Sequence, residues 1–215
     1  MSIERRIAKN LLDKRAVKVS IDPPFTWASG IKSPVYCDNR KMIAFPQERR
    51  QVVEAFKSLI QQKGLKFDVI GGTATAAIPW AAFLAYELDV PMIYIRPEKK
   101  DHGAGNQIEG YLEPGQRVLI VEDLISTGGS SVAAAEAVIE EGKCTVEDVM
   151  AIVSWEIPKA VERFNEAHLN LYTLTDYSNI IGLAAEEGYI PSEQLDLVLK
   201  FKEDPARWGL AMGFE

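Results

Sequence analysis

The amino-acid sequence predicts an α/β fold in which helices flank a parallel, twisted β-sheet on both faces. Short apolar runs rich in β-branched residues alternate with helical stretches through the middle of the chain, as in repeated strand–helix–strand units. These runs are apolar throughout, which is typical of strands that are buried on both faces. The chain has 215 residues, of which 47% are hydrophobic, enough for one domain with a sizeable core.

The individual elements follow from the spacing of apolar residues. Ile3, Ile7 and Leu11 predict a first helix over residues 3–14, and a second is predicted over 46–63 with Gly64 as its cap. Strands are predicted over residues 67–70, 91–95, 117–121, 149–154 and 169–174. Further helices are predicted near residues 78–88, 130–141 and 159–166, with two more over 176–202.

Composition and charge narrow the classes of function. The formal net charge is −7, whereas proteins that bind nucleic acid usually carry a basic face. No stretch approaches the roughly 20 apolar residues of a membrane span, and the charged N-terminus lacks the apolar core of a secretory signal. Two cysteines, Cys37 and Cys144, are too few for a disulfide framework or a zinc cluster. The sequence predicts a cytoplasmic protein that binds neither nucleic acid nor a membrane.

The strongest functional signal lies in residues 118–131, which read Val-Leu-Ile-Val-Glu-Asp-Leu-Ile-Ser-Thr-Gly-Gly-Ser-Ser. An apolar strand is predicted to end at two adjacent carboxylates, Glu122 and Asp123, and a turn rich in glycine and hydroxyl groups then opens a helix. Glycines allow the backbone to approach a phosphate closely, and N–H groups at a helix start form an anion pocket. The carboxylates suit the hydroxyls of a sugar whose phosphate lies one turn further on. A ribose 5-phosphate fits this order.

A second signal is a cluster of potential cations directly after a predicted strand. Arg96, Lys99, Lys100 and His102 fall within seven residues of an otherwise acidic chain, and three glycines follow by residue 110. In parallel α/β sheets, ligands bind at the carboxyl ends of the strands. The segment is therefore predicted to act as a lid over an anionic ligand.

Three segments of the sequence resemble a known family. Residues 118–131 resemble the phosphoribosyl pyrophosphate signature of the type I phosphoribosyltransferases. Residues 96–110, with their Lys-Asp-His-Gly core, resemble the catalytic loop of the orotate phosphoribosyltransferases, and residues 25–34 (Phe-Thr-Trp-Ala-Ser-Gly-Ile-Lys-Ser-Pro) are similar to that family's N-terminal substrate region. The resemblance spans about residues 5–185.

The resemblance implies a type I phosphoribosyltransferase-like fold with one domain over residues 1–215. A small N-terminal region of about residues 1–45 would cover the substrate. The α/β core would occupy about residues 65–175, and C-terminal helices would fill 176–215.

The resemblance also implies a role for each matching residue. Arg96, Lys100 and His102 would be the catalytic residues and would contact the pyrophosphate or its neighbourhood. Ser126 would touch the base, and Tyr36 and Arg40 are the other candidates for orotate binding. The residues predicted to bind phosphoribosyl pyrophosphate are Thr73, Ala74, Glu122, Asp123, Leu124, Ile125, Ser126, Thr127, Gly128, Gly129 and Ser130.

The sequence departs from the family's best-known enterobacterial pattern at several positions. Lysines expected in the family pattern are replaced by Ala28, Ala76 and Pro97, an arginine by Ile157, and one of two aromatic residues by Cys37. Two other cations, Arg40 and Lys32, are candidates for the positive charge that an orotate carboxylate needs.

The implied reaction transfers the 5-phosphoribosyl group from phosphoribosyl pyrophosphate to orotate, a step of de novo pyrimidine biosynthesis. Magnesium is the expected cofactor, held mainly by the substrate, with no direct protein ligand and with Glu122 and Asp123 acting only indirectly. The expected assembly is a homodimer in which loop residues of one subunit reach the site of the other.

Two alternatives have sequence features that would distinguish them. A transferase that acts on a purine base should lack the Lys-Asp-His-Gly loop at this position. A non-catalytic regulator that senses phosphoribosyl pyrophosphate and binds nucleic acid should show a basic face, which the net charge of −7 disfavours.

Overall fold

The structure is a computed structural model that describes residues 1–27, 29–98 and 106–214. Its strands are β1 (Val17–Val19), β2 (Phe25–Thr26), β3 (Lys32–Ser33), β4 (Val35–Cys37), β5 (Val69–Thr73), β6 (Met92–Ile95), β7 (Ile108–Glu109), β8 (Val118–Ile125), β9 (Asp148–Ser154) and β10 (Asn170–Asp176). Its α-helices are α1 (Ile3–Asp13), α2 (Pro46–Lys63), α3 (Ile78–Leu88), α4 (Gly129–Glu140), α5 (Pro158–Glu166), α6 (Tyr177–Glu186), α7 (Leu195–Leu199) and α8 (Pro205–Ala211). Short 3₁₀ helices cover Asn39–Ala44, Ser192–Gln194 and Lys200–Lys202.

The central sheet has six strands in the order β10-β9-β8-β5-β6-β7. All neighbouring strands are parallel except β6 and β7, which are antiparallel at one edge. Helices α3, α4 and α5 connect β5 to β6, β8 to β9 and β9 to β10, and they pack against the sheet. The predicted fold class is therefore confirmed. The edge strand β7 was not predicted, because two residues are too few to show a periodicity.

Side chains alternate between two apolar layers along the central strands. On β8, Leu119 and Val121 face one layer, while Val118 and Ile120 face the other. Successive residues of a strand point to opposite faces, so a strand covered on both faces must be apolar at every position. This is the physical reason for the uninterrupted apolar runs of the sequence.

Most element boundaries match the predictions, but β8 does not. The predicted strand ended at Val121, whereas β8 continues to Ile125 and pairs there with Ser154 of β9. Glu122 and Asp123 thus lie inside the strand and not after it. The two carboxylates end the apolar run of the sequence, but the backbone pairing with β9 continues past them.

A second group of elements covers the carboxyl edge of the sheet. β1 pairs with β4, β2 pairs with β3 in a hairpin, and α8 packs against β3. Gly209 of α8 allows this approach, because a Cβ there would lie 2.6 Å from the Cβ of Lys32. The N-terminal and C-terminal parts of the chain are joined at this contact. None of the helices in the described ranges is long and apolar enough to cross a membrane.

Candidate active site

The carboxylate of Glu122 is buried at the carboxyl end of β8. Only 6% of the residue is exposed. Its oxygens accept hydrogen bonds from the N–H of Asp123 (3.0 Å) and from the hydroxyls of Ser131 (3.3 Å) and Ser130 (3.4 Å). Both serines belong to the first turn of α4, so Glu122 fixes this helix against the strand.

The two adjacent carboxylates shift each other's protonation. Burial, followed by the charge of Asp123, raises the pKa of Glu122 to about 7. Burial also raises the pKa of Asp123 above its ordinary value. Glu122 already accepts three hydrogen bonds, whereas Asp123 is only partly buried. Asp123 is therefore the acceptor of the pair that is better placed for a ligand.

Asn39 joins the N-terminal region to this acid pair. Its side-chain amide donates a 2.7 Å hydrogen bond to the carbonyl oxygen of Asp123. The thiol of Cys37 in turn donates to the amide oxygen of Asn39 at 3.2 Å. Burial and the nearby charges of Asp123 and Asp38 raise the pKa of this thiol, so Cys37 stays protonated and is unsuited to act as a nucleophile.

The turn after β8 requires glycine for a reason that the sequence did not show. Gly128 has a φ of +76°, and a Cβ at this position would lie 2.9 Å from the ring of Phe164 in α5. A Cβ at Gly129 would lie 3.0 Å from the guanidinium of Arg163. The prediction assigned these glycines to close approach of a phosphate. In the structure, the missing side chains leave room for α5.

Four of the predicted site residues line one hollow of about 80 Å³. Thr73 and Ala74 contribute from the end of β5, Arg96 from the end of β6, and Ser130 from the start of α4. Arg96 also lies 3.6 Å from the carboxylate of Glu109. The carboxyl ends of neighbouring parallel strands meet here, as expected for a ligand site in this class of sheet.

A larger pocket of about 260 Å³, termed here the aromatic pocket, includes Ser126 at the start of the turn. It is lined by Thr26, Trp27, Tyr36, Cys37, Leu124, Ser126 and Trp155. Its rings are fixed by neighbours: the indole N–H of Trp27 donates to the carbonyl oxygen of Val35 at 3.0 Å, and the ring of Trp155 packs edge-on against Tyr177. Rigid aromatic walls suit a flat ring as ligand.

Comparison with known proteins identifies the family. The family profile described as Phosphoribosyl transferase domain matches residues 41–176. A curated orotate phosphoribosyltransferase of Enterococcus faecalis is 48% identical over 207 residues, which cover 96% of this chain and 98% of that protein. The chain belongs to the orotate phosphoribosyltransferase family.

Solved structures of the same family share the fold. An orotate phosphoribosyltransferase from Aeropyrum pernix superposes with a TM-score of 0.74 at 29% identity, covering 86% of this chain and 99% of that one. UMP synthase of Leishmania donovani gives a TM-score of 0.77 at 29% identity. That alignment covers 93% of this chain but only 42% of the longer one.

The structure brings most of the residues predicted from the family resemblance to one edge of the sheet. Tyr36 and Ser126 line the aromatic pocket. Leu124 lines it as well, whereas Ile125 is buried in the core and its carbonyl oxygen accepts from the N–H of Trp155 at 2.8 Å. Ile125 can thus offer a ligand only its backbone.

Some predicted residues are placed apart from the aromatic pocket or lie outside the described ranges. Arg40 does not line the pocket, and its guanidinium binds Asp38 at 2.7 Å with 65% of the side chain exposed. Lys100 and His102, which the family resemblance predicted to be catalytic, lie outside the described residues, as do Lys99 and Ala28.

Several residues of the site were missed by the sequence analysis. Trp155 directly follows β9 and lines the aromatic pocket. Its position immediately after a predicted strand was a usable signal. Asn39 and Arg163 had no comparable signal, because each acts through a contact with a residue distant in the sequence.

Proposed function

We propose that this protein transfers the 5-phosphoribosyl group from phosphoribosyl pyrophosphate to orotate, giving orotidine 5′-phosphate and pyrophosphate. Membership of the orotate phosphoribosyltransferase family supports the reaction. The observation that carries it is the position of Ser126, which begins the turn at the start of α4 and also lines the aromatic pocket. A phosphoribosyl group held at the turn would thus adjoin a flat base held in the pocket.

Each part of the site has a share in this proposal. N–H groups of residues 126–130 and the positive end of α4 would bind the 5-phosphate. Asp123 would accept hydrogen bonds from the ribose hydroxyls, with Glu122 holding the serines of α4 in place. Thr73, Ala74 and Arg96 would lie beside the pyrophosphate. A covalent intermediate is not required.

Catalysis would come from positioning and electrostatic stabilisation. The anomeric carbon gains positive charge as its bond to pyrophosphate breaks, and a ring nitrogen of the base, which gives up its proton, then bonds to that carbon. Cations near the pyrophosphate stabilise the leaving group, and the fixed pocket walls hold the base in line. Arg96 belongs to this part of the proposal, as do Lys100 and His102 on the strength of the family resemblance.

The donor set at the end of β8 fits a magnesium cofactor held mainly by the substrate. Burial raises the pKa of both Glu122 and Asp123, and the charge of Asp123 raises that of Glu122 further, so a nearby cation would stabilise their ionised forms. When bound, magnesium would neutralise charge on the pyrophosphate oxygens. Glu122 and Asp123 would reach it through water.

The proposal also includes a cytoplasmic location. It further includes a role for the N-terminal region, about residues 1–45, as a cover over the bound substrate.

A panel of bases tests the reaction. Purified protein is incubated with phosphoribosyl pyrophosphate, magnesium and either orotate, uracil, adenine or guanine, and pyrophosphate release is measured. Release with orotate alone is the expected result. Pyrophosphate release only with a purine would mean that the substrate is a purine base and not orotate. No release with any base would favour a regulator that only senses phosphoribosyl pyrophosphate.

A homodimer with shared sites is part of the proposal, and mixing two inactive variants tests it. Lys100→Ala and Asp123→Asn chains are combined, and the heterodimer is isolated by differential tags. Activity should return, because one of its two sites then carries both native residues. An inactive heterodimer would mean that the loop serves its own subunit.

A further inference from the structure

The aromatic pocket lacks a charged residue among those that line it. Its described lining consists of three aromatic rings, Leu124, Cys37 and two hydroxyl side chains. Orotate carries a carboxylate, and a carboxylate that leaves water needs a cation or several hydrogen-bond donors. Positions where the family resemblance led us to expect cations hold Ala28 and Ile157 in this chain.

Lys32 lies at the rim of this pocket. It is paired directly opposite Thr26 in the β2–β3 hairpin, so both side chains point to the same face. The Nζ of Lys32 is 3.4 Å from the Oγ1 of Thr26, and Thr26 lines the pocket. A cation and a hydroxyl group thus stand side by side where a ligand carboxylate could bind both.

Lys32 has no competing carboxylate among the described residues. The other candidate cation, Arg40, binds Asp38 with its Nε at 2.7 Å. No described Asp or Glu side chain comes within 4.0 Å of the Lys32 ammonium group. Lys32 can therefore bind a ligand carboxylate without first losing an internal ion pair.

The stem of Lys32 packs against α8. Gly209 packs so closely on the lysine that a Cβ would lie 2.6 Å from the Cβ and 3.0 Å from the Cγ of Lys32. Gly209 is itself buried. This contact restricts the Cβ and Cγ of the lysine, which reduces the conformational entropy lost when the ammonium group binds a ligand.

We propose that Lys32, positioned by Gly209, binds the carboxylate of the acceptor base and so determines the preference for orotate over bases that lack this group. The inference rests on the proposed function, since it assumes that the base is held in the aromatic pocket. It assigns to Lys32 a specific ionic contact and to α8 a role in positioning that contact.

Equilibrium binding of two products isolates the carboxylate. Orotidine 5′-phosphate and uridine 5′-phosphate differ only by this group, and calorimetry gives the dissociation constant of each. In Lys32→Met, binding of orotidine 5′-phosphate should weaken by at least about tenfold, the effect of one lost charge-assisted hydrogen bond, while binding of uridine 5′-phosphate changes little. Lys32→Arg, which keeps the charge, should retain most of the preference.

Controls separate this inference from misfolding and from failure of the proposed reaction. Lys66→Met removes an exposed lysine between α2 and β5 and should leave both constants unchanged. Gly209→Ala should reduce the preference for orotidine 5′-phosphate, and an unchanged preference would overturn the positioning role of α8. If Lys32→Met weakened the binding of both products equally, or of neither, the ionic contact would be overturned. Orotate turnover by the wild type would still support the proposed reaction in that case. A wild type that did not use orotate would overturn both.

Discussion

The Nη1 of Arg163 lies 3.0 Å from both the carbonyl oxygen and the hydroxyl oxygen of Thr127. One guanidinium group of α5 thereby holds the turn that precedes α4. The turn carries the N–H groups proposed to bind the 5-phosphate. Its shape depends on a neighbouring helix as well as on its own glycines.

We expect Arg163→Met to raise the KM for phosphoribosyl pyrophosphate by roughly three- to tenfold, since hydrogen bonds that order the turn are worth about 1 kcal/mol each. The KM for orotate should change less. Steady-state kinetics with each substrate varied in turn would measure both. Lys159→Met, an exposed lysine of the same helix, is the control for loss of charge. Equal effects of the two substitutions would rule out a role for the contact with Thr127.

Gly128 and Gly64 form a matched pair for a second prediction. Both have left-handed backbones, with φ of +76° and +64°, but a Cβ at Gly64 would meet nothing within 4 Å. Gly64→Ala should cost about 1–2 kcal/mol in the free energy of unfolding and leave kinetics unchanged. Gly128→Ala should cost more, because Phe164 must also move, and should raise the KM for phosphoribosyl pyrophosphate. Urea denaturation and kinetics would measure these effects, and similar losses in both variants would contradict the packing argument.

The pKa of Glu122 predicts how stability depends on pH. Burial raises it to about 7 from an ordinary value of 4.5. Between these values the folded protein binds more protons than the unfolded chain, so the free energy of unfolding falls as pH rises. The contribution of Glu122 is fully present below its unfolded pKa and is lost through about pH 7. Its size should be on the order of 1–3 kcal/mol.

Urea denaturation of the protein without substrates, from about pH 5 to pH 8, measures this dependence. Glu122→Gln should flatten it, because the amide does not titrate. Glu140→Gln, at an exposed position of α4, should leave it as in the wild type. If the free energy of unfolding of Glu122→Gln still fell as pH rose, another group would be responsible for the dependence. Asp123 would be the first to test.

A last prediction concerns catalysis by the basic segment. Lys100 is proposed to stabilise charge that grows on pyrophosphate, an interaction stronger in the transition state than in the ground state. Lys100→Ala should therefore lower kcat by at least roughly tenfold. Lys99→Ala is the control, because Lys99 is next to Lys100 but matches no functional position of the family. Similar losses in both variants would indicate a diffuse positive patch.

The sequence predicted the elements whose apolar spacing is regular. The bounds of α2 and α3 agree with prediction to the residue, and the Pro46 start and Gly64 cap explain why α2 was clear. The C-terminal end of the chain was harder to predict. α8 lies within the range 176–215 where the resemblance implied helices, but its seven residues offer too little periodicity for its bounds to be predicted.

Part of the candidate site was predictable from a local sequence pattern, but its contacts were not. The acid pair and the glycine turn stood out as a local pattern. Burial of Glu122 beneath Ser130 and Ser131 required α4 to fold back on β8, which hydropathy does not reveal. Gly128 shows the same limit, since its partner Phe164 lies 36 residues further along the chain.

The aromatic pocket is built from two stretches of the chain. Thr26, Trp27, Tyr36 and Cys37 precede the region matched by the general phosphoribosyl transferase profile, whereas the acid pair and the turn fall within it. Four of the seven residues that line the pocket thus sit on a stretch of chain outside the matched region, joined to β8 through Asn39, while Leu124, Ser126 and Trp155 belong to that region. Lineages could exchange this stretch and acquire a new acceptor while inheriting the sugar-phosphate site unaltered. Laboratory grafting of residues 20–40 between relatives would follow the same route.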